Sequence, residues 1–152
     1  MQTNPDKTAL DDIIRHNKQS VRYDGGPVTR MLGTHIEWIN PAVGTGEFTF
    51  NLGTDFTNDN GVIMGGIVTS MMDLAMASVV MARTKPNHSV ATTNLQIQFF
   101  RPCLPGKLFA LAEIVKDGKK LCFCECTLFD GNRKKLSSST STNLIMLNEK
   151  SH

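Results

Sequence analysis

Residues 61–82 read GVIMGGIVTSMMDLAMASVVMA, twenty-two residues with a single charge, Asp73. A carboxylate taken out of water without a partner is costly. Asp73 is therefore either satisfied by a neighbour or placed there to do chemistry. The run is apolar on nearly all sides of a helix, and such a helix needs cover all round. Its length would suit a membrane span, and Gly61 and Gly65 stand at a helix-pairing spacing. An Asp near the middle of an inserted helix costs about 2.5–3.5 kcal/mol, however, and the flanking segments read as strands. The expectation is a central helix inside a sheet, with no membrane span.

Those flanking segments supply the cover. MLGTHIEWIN (31–40) and GEFTFNLG (46–53) alternate like strands around the turn signals Pro41, Gly44 and Gly46. TDFTNDNG (54–61) is a polar loop leading into the helix. After it come SVATTNLQIQFF (89–100), GKLFALAEIV (106–115), KLCFCECTLFD (120–130) and KLSSSTSTNLIML (135–147). Asp117-Gly118 and Asp130-Gly131 predict tight hairpins between the last three. About six antiparallel strands curled round one helix make an α+β domain. Long open edge strands argue for pairing with a second copy. Near the start, NPDKTALDDIIRHNKQ (4–19) predicts a short amphipathic helix, acidic early and basic late.

The totals exclude several classes. The 152 residues fit one domain, and a net charge of +2 gives no footing for a nucleic-acid partner. The opening MQTNPDKTALDD lacks the basic and apolar regions of a secretory signal. Cys122, Cys124 and Cys126 are two apart, a spacing that suits neither a disulfide framework nor a zinc knuckle. Period-two alternation puts all three on one face, as core thiols. His16, His35, His88 and His152 lack ligand spacing, so no metal site is expected. A cytoplasmic protein with reduced thiols is the expectation.

Gly65-Gly66 at the helix entry leaves backbone N–H donors bare and lets a ligand approach. With the helix dipole, those donors suit a carbonyl oxygen that gains charge during attack. Asp73 follows eight residues later, about 12 Å along the axis. It cannot act on a carbonyl held by its own helix end. Two helices set side by side in a dimer would bring the glycine end of one to the carboxylate of the other. The plainer alternatives are close packing at the glycines, and an Asp73 bonded to Thr69, Ser70 or a strand.

NDNGVIMGGIVTSMMDLAMA (58–77) followed by ATTNLQIQFFRPCLPGKLFALAEIVKDGKKL (91–121) resembles the PaaI-like acyl-CoA thioesterases of the hotdog superfamily. The likeness runs from about residue 30 to 147. It implies a hotdog domain over 26–152, with 1–25 as an N-terminal helical segment outside it. It implies hydrolysis of an acyl-CoA thioester to free acid and coenzyme A. No cofactor is needed, because coenzyme A enters as part of the substrate. In this reading the Gly65 N–H polarises the carbonyl, Asp73 acts as general base or nucleophile, and Asn58 places the carbonyl or the water. A strand hydroxyl assists at Thr92, although alternation puts Thr92 on the face opposite Leu95, Ile97 and Phe99; a bulge or Thr93 would resolve this. The family's histidine before the two glycines is Met64 here.

Candidate binding residues are Met64, Gly66 and Met72 on or beside the helix, with Arg101, Lys119 and Lys120 for the coenzyme A phosphates. Solvated hairpin lysines and a packed methionine core are the plain alternatives. The partners implied are an acyl-CoA and further copies, as homodimer or homotetramer. The competing functional reading is a non-catalytic acyl-CoA-binding or regulatory protein of the same fold. A hotdog hydratase would need a histidine that the helix lacks.

Overall fold

Asn4 starts the first helix by accepting from the N–H groups of Asp6 and Lys7 at 3.0 and 3.3 Å. Pro5 follows at the first helical position, where a missing N–H costs nothing. In the computed structural model, which describes residues 4–148, this helix α1 spans Pro5–Arg15 and buries Leu10 and Ile13. The Asp6 carboxylate then accepts from Gly26 N–H at 2.6 Å and the Thr29 hydroxyl at 2.8 Å. Those bonds tie α1 to helix α2 (Pro27–Met31), which follows the short strand β1 (Val21–Arg22). The strand expected over 31–40 is thereby shortened to β2 (His35–Asn40). Pro27 opens a helical turn, and Gly33 leaves it with φ +59°.

β3 (Thr45–Leu52) and a 3₁₀ turn (Thr54–Phe56) follow, the turn falling within the expected loop. The central helix α3 spans Gly65–Arg83, starting four residues later than the apolar run. Residues before it are held as loop: Ile63 N–H bonds the Cys103 carbonyl at 2.8 Å and Asn58 N–H the Val62 carbonyl at 2.8 Å. Four strands follow among the described residues: β4 (His88–Phe99), β5 (Gly106–Asp117), β6 (Leu121–Phe129) and β7 (Lys135–Leu147). All pairings are antiparallel, in the order β1-β2-β3-β5-β6-β7-β4. The sheet has seven strands rather than about six, because the two residues of β1 pair with β2.

The core lies between α3 and the inner face of the sheet. Val68, Met71, Met72, Ala75, Met76, Val79 and Val80 are buried on the helix. Phe48, Phe50, Leu108, Leu128 and the three thiols of β6 are buried opposite them. Ala110, Ala112 and the cysteines are small, so the helix can approach the sheet closely. This is the α+β hotdog architecture expected from the sequence. By length and composition α3 is also apolar enough to cross a membrane, and here its apolar side is the core of the sheet.

Neither hairpin places Asp-Gly at the centre of its turn: Gly118 N–H bonds the Leu121 carbonyl at 3.1 Å, so Lys119 and Lys120 form the β5–β6 turn. Between β6 and β7 the left-handed residue is Arg133 (φ +63°), not Gly131. A bidentate pair with Glu47 at 2.6 and 3.0 Å holds it, and its guanidinium stacks 3.7 Å from the centre of the Phe109 ring. Between β5 and β6, Gly118 serves for close approach, since a Cβ there would collide with the Leu121 carbonyl.

All four cysteines are free and buried. Burial pushes the Cys103 thiol up to about 11 and Cys124 up to about 12, from the ordinary 9.0. Cys126 is raised further by the same cause. Unfolded thiols would ionise above pH 9 while the folded ones stay neutral, so the unfolded chain binds fewer protons there. Stability should fall as pH rises from about 9 towards 12. Denaturant midpoints across that range test this; a flat profile would contradict the burial. At neutral pH a thiol reagent should modify these residues only on unfolding.

Candidate active site

The N-terminus of α3 is open. Met64 occupies the cap position and makes no side-chain cap bond. Its carbonyl takes the N–H groups of Ile67 and Val68 at 2.9 and 3.1 Å, and the two N–H groups of Gly65 and Gly66 precede any intrahelical partner. Beside them is a cavity of about 420 Å³ lined by Asn58, Gly65, Phe99, Phe100, Arg101 and Cys103, among others. Phe99 and Phe100, both more than half exposed, give the cavity an apolar lining; Met64, also more than half exposed, stands next to Gly65 in the chain. A side chain at Gly66 would enter open space, whereas a Cβ at Gly65 would stand 3.3 Å from the Phe99 ring.

Asn58 builds this loop. Its side-chain oxygen accepts from Asn60 and Val62 N–H at 3.0 and 3.2 Å. Only its amide hydrogens are left to reach a ligand, which narrows the expected role to donation. Arg101 lines the same cavity and donates one guanidinium N–H to the Lys135 carbonyl at 2.8 Å.

Asp73 is half-buried, two turns further along α3, and does not line that cavity. Its partner is Thr92, whose hydroxyl donates to Oδ1 at 2.7 Å. Thr69 and Ser70, the other partners considered, instead donate to the carbonyls of Gly65 and Gly66 one turn back. Thr92 reaches Asp73 because β4 bulges: the register to β7 runs Thr92↔Asn143, then Asn94↔Thr142, leaving Thr93 unpaired. That extra residue returns Thr92 to the face of Leu95 and Ile97. Thr93 points the other way and bonds the Thr142 carbonyl.

Behind Thr92 lies a polar seam that the sequence reading missed. Asn143 is fully buried, with Oδ1 3.2 Å from the Thr92 hydroxyl. Its amide donates to Ser141 Oγ at 2.8 Å and to Cys124 Sγ at 3.6 Å. Ser139 and Ser141 turn their hydroxyls to the Met76 sulfur. The signal was present in the period-two row Ser137, Ser139, Ser141, Asn143, which makes the inner face of a strand polar.

Three candidates lie elsewhere. Met72 is fully buried, so it packs the core and lines no accessible pocket within a protomer. Lys119 and Lys120 are exposed on the hairpin whose Asp117 pairs with Arg83. That is the C-terminal end of α3, the opposite end from Gly65 and Arg101. The positive charge that made the lysines candidates carried no information about which end of the helix their hairpin meets.

A model of the thioesterase superfamily matches residues 60–137, about half of the chain, and the protein belongs to that superfamily. An esterase candidate of Saccharolobus solfataricus is 27% identical over 107 residues, 70% of this chain and 71% of its own. A crystal structure from Ralstonia eutropha JMP134, a phenylacetic acid degradation-related protein described as a thioesterase candidate, aligns with a TM-score of 0.77 at 26% identity. That match covers 90% of this chain and 98% of the other. The E. coli PaaI protein of the phenylacetic acid degradation operon aligns at 0.74, covering 95% and 96% at 16% identity. The smu.793 protein of Streptococcus mutans, solved with acetyl CoA, aligns at 0.67, covering 76% and 90% at 16% identity. At that identity the last two speak for the fold, and the PaaI-like hotdog resemblance stands.

Proposed function

We propose that the protein hydrolyses an acyl-CoA thioester to a free acid and coenzyme A, at sites shared between two copies. The observation that carries this is the pairing of an uncapped glycine helix start with a carboxylate held by Thr92 two turns along. In one site the Gly65 N–H of one copy polarises the thioester carbonyl. Asp73 of the other copy takes a proton from the attacking water or attacks the carbonyl itself. Asn58 donates its amide hydrogens to the carbonyl or the water, and Arg101 offers charge to the phosphates. Acetyl CoA in the S. mutans relative supports a coenzyme A conjugate as substrate. No cofactor enters the chemistry, and the buried thiols fit a reducing compartment such as the cytoplasm.

The shared site rests on geometry. Nineteen residues make α3 about 28 Å long, and the Gly65–Asp73 separation of about 12 Å is fixed by the helix rise. β4 is a twelve-residue edge strand. Two copies pairing along it would join their sheets and lay the helices side by side. Analytical ultracentrifugation should give the mass of a dimer or tetramer at assay concentration; a monomer that turns over substrate would contradict the shared site.

The competing reading, an acyl-CoA binder without turnover, draws on Met64, which replaces the family's histidine. A thiol-release assay over short, branched, aromatic and long acyl-CoAs separates the two. Release with at least one conjugate is expected. Saturable binding with flat release throughout would favour the binder.

A further inference from the structure

Thr92 Oγ1 carries one proton and faces two acceptors, Asp73 Oδ1 at 2.7 Å and Asn143 Oδ1 at 3.2 Å. The Asn143 amide nitrogen is engaged by Ser141 and Cys124 on its other side, so its oxygen is the atom turned to Thr92. The bulge at Thr93 sets the two residues directly opposite in register. A charged acceptor holds a hydrogen bond about twice as strongly as a neutral one. While Asp73 is ionised it therefore wins the hydroxyl proton, and once its charge is gone the amide oxygen can take it.

On this basis, and resting on the hydrolase reading above, we infer that Asn143 is a positioning residue. It receives the Thr92 O–H when Asp73 loses its negative charge during reaction. If Asp73 is the base, a water O–H bond breaks, its electron pair forms the new C–O bond and its proton goes to the carboxylate. If Asp73 is the nucleophile, its own oxygen forms the bond to the carbonyl carbon, and water later cleaves the resulting anhydride. Either way the carbonyl π pair moves onto the oxygen, then returns as the C–S bond breaks and coenzyme A leaves as its thiolate. In both cases the Thr92 hydroxyl only turns about its C–O bond, and no bond to it is made or broken. Asn143 offsets the hydrogen bond that Asp73 gives up, and does so in the transition state rather than in the substrate complex.

The test has a spectroscopic arm and a kinetic arm. By NMR, the side-chain carbonyl carbon of Asn143 should move downfield in Asp73→Asn, where the carboxylate charge is absent. Adding Thr92→Val should return it to its position in Thr92→Val alone. A resonance indifferent to residue 73 would overturn the inference. In thiol release, Asn143→Leu should lower kcat about fivefold with KM unchanged, the worth of one hydrogen bond. In a Thr92→Val background the same change should cost nothing more. An equal loss in both backgrounds, or a change in KM alone, would reduce Asn143 to a packing residue. Should Asn143→Leu fail to fold, the half-buried Thr92→Val and the NMR arm still decide the matter. Flat thiol release in the natural protein, with the Asn143 signal still responding to Asp73→Asn, would sink the hydrolase reading and leave the switch of the Thr92 hydrogen bond standing.

Discussion

Asp73→Asn is expected to lower kcat for thioester hydrolysis by about 10²–10⁴, the usual worth of a positioned acid or base. Acyl-CoA binding should be largely kept. The substitution is nearly isosteric and removes the charge that Thr92 serves, without opening a cavity in the core. Asp73 is half-buried and bonded by one hydroxyl, so its neutral replacement leaves no buried ion behind. Melting temperature should change little. Steady-state kinetics with an equilibrium binding measurement separate the two effects. If the variant loses binding and turnover together, Asp73 supports the pocket rather than the reaction.

The second large effect is expected from Gly65→Pro, which deletes the oxyanion donor without disturbing the helix. Proline is favoured at the first helical position, where the N–H has no intrahelical partner. It also requires an extended residue before it, and Met64 already has φ −57° and ψ 141°. A Cβ at this position meets the Phe99 ring at 3.3 Å. That ring is more than half exposed and can swing away. Stability should hold or rise slightly, because proline restricts the unfolded chain. Removing one such donor costs about 10²–10³ in kcat. Gly65→Ala keeps the N–H and should lose less. A Gly65→Pro protein with full activity would exclude the Gly65 N–H from the mechanism.

Much of this was legible in the sequence, for physical reasons that differ by element. The strands at β5, β6 and β7 stand nearly where alternation put them, because each has one face on the helix and one outward. Asp73 stood out because a charge in an apolar run must be accounted for. Thr92 was recoverable only through family likeness, since a single unpaired residue in β4 inverts every side chain beyond it and simple parity cannot see it. Asn143 was passed over because its row of serines looks like an exposed strand until the helix is laid against it. Met72 looked available because its helix was expected to line a pocket, yet tertiary packing gives its position wholly to the core. The placement of Lys119 and Lys120 depends on which end of α3 their hairpin closes. Pairing order along a sheet decides that, and local pattern does not.

Mixing Gly65→Pro with Asp73→Asn protein tests the shared site most directly. Each variant alone lacks one half of every site, but a hybrid dimer contains one site with Gly65 and Asp73 both intact. After unfolding and refolding together, or subunit exchange, about one quarter of the natural specific activity should return for random pairing of dimers. A mixture no more active than the two variants measured separately, with hybrid dimers shown to have formed, would place both groups within a single copy and contradict the proposal.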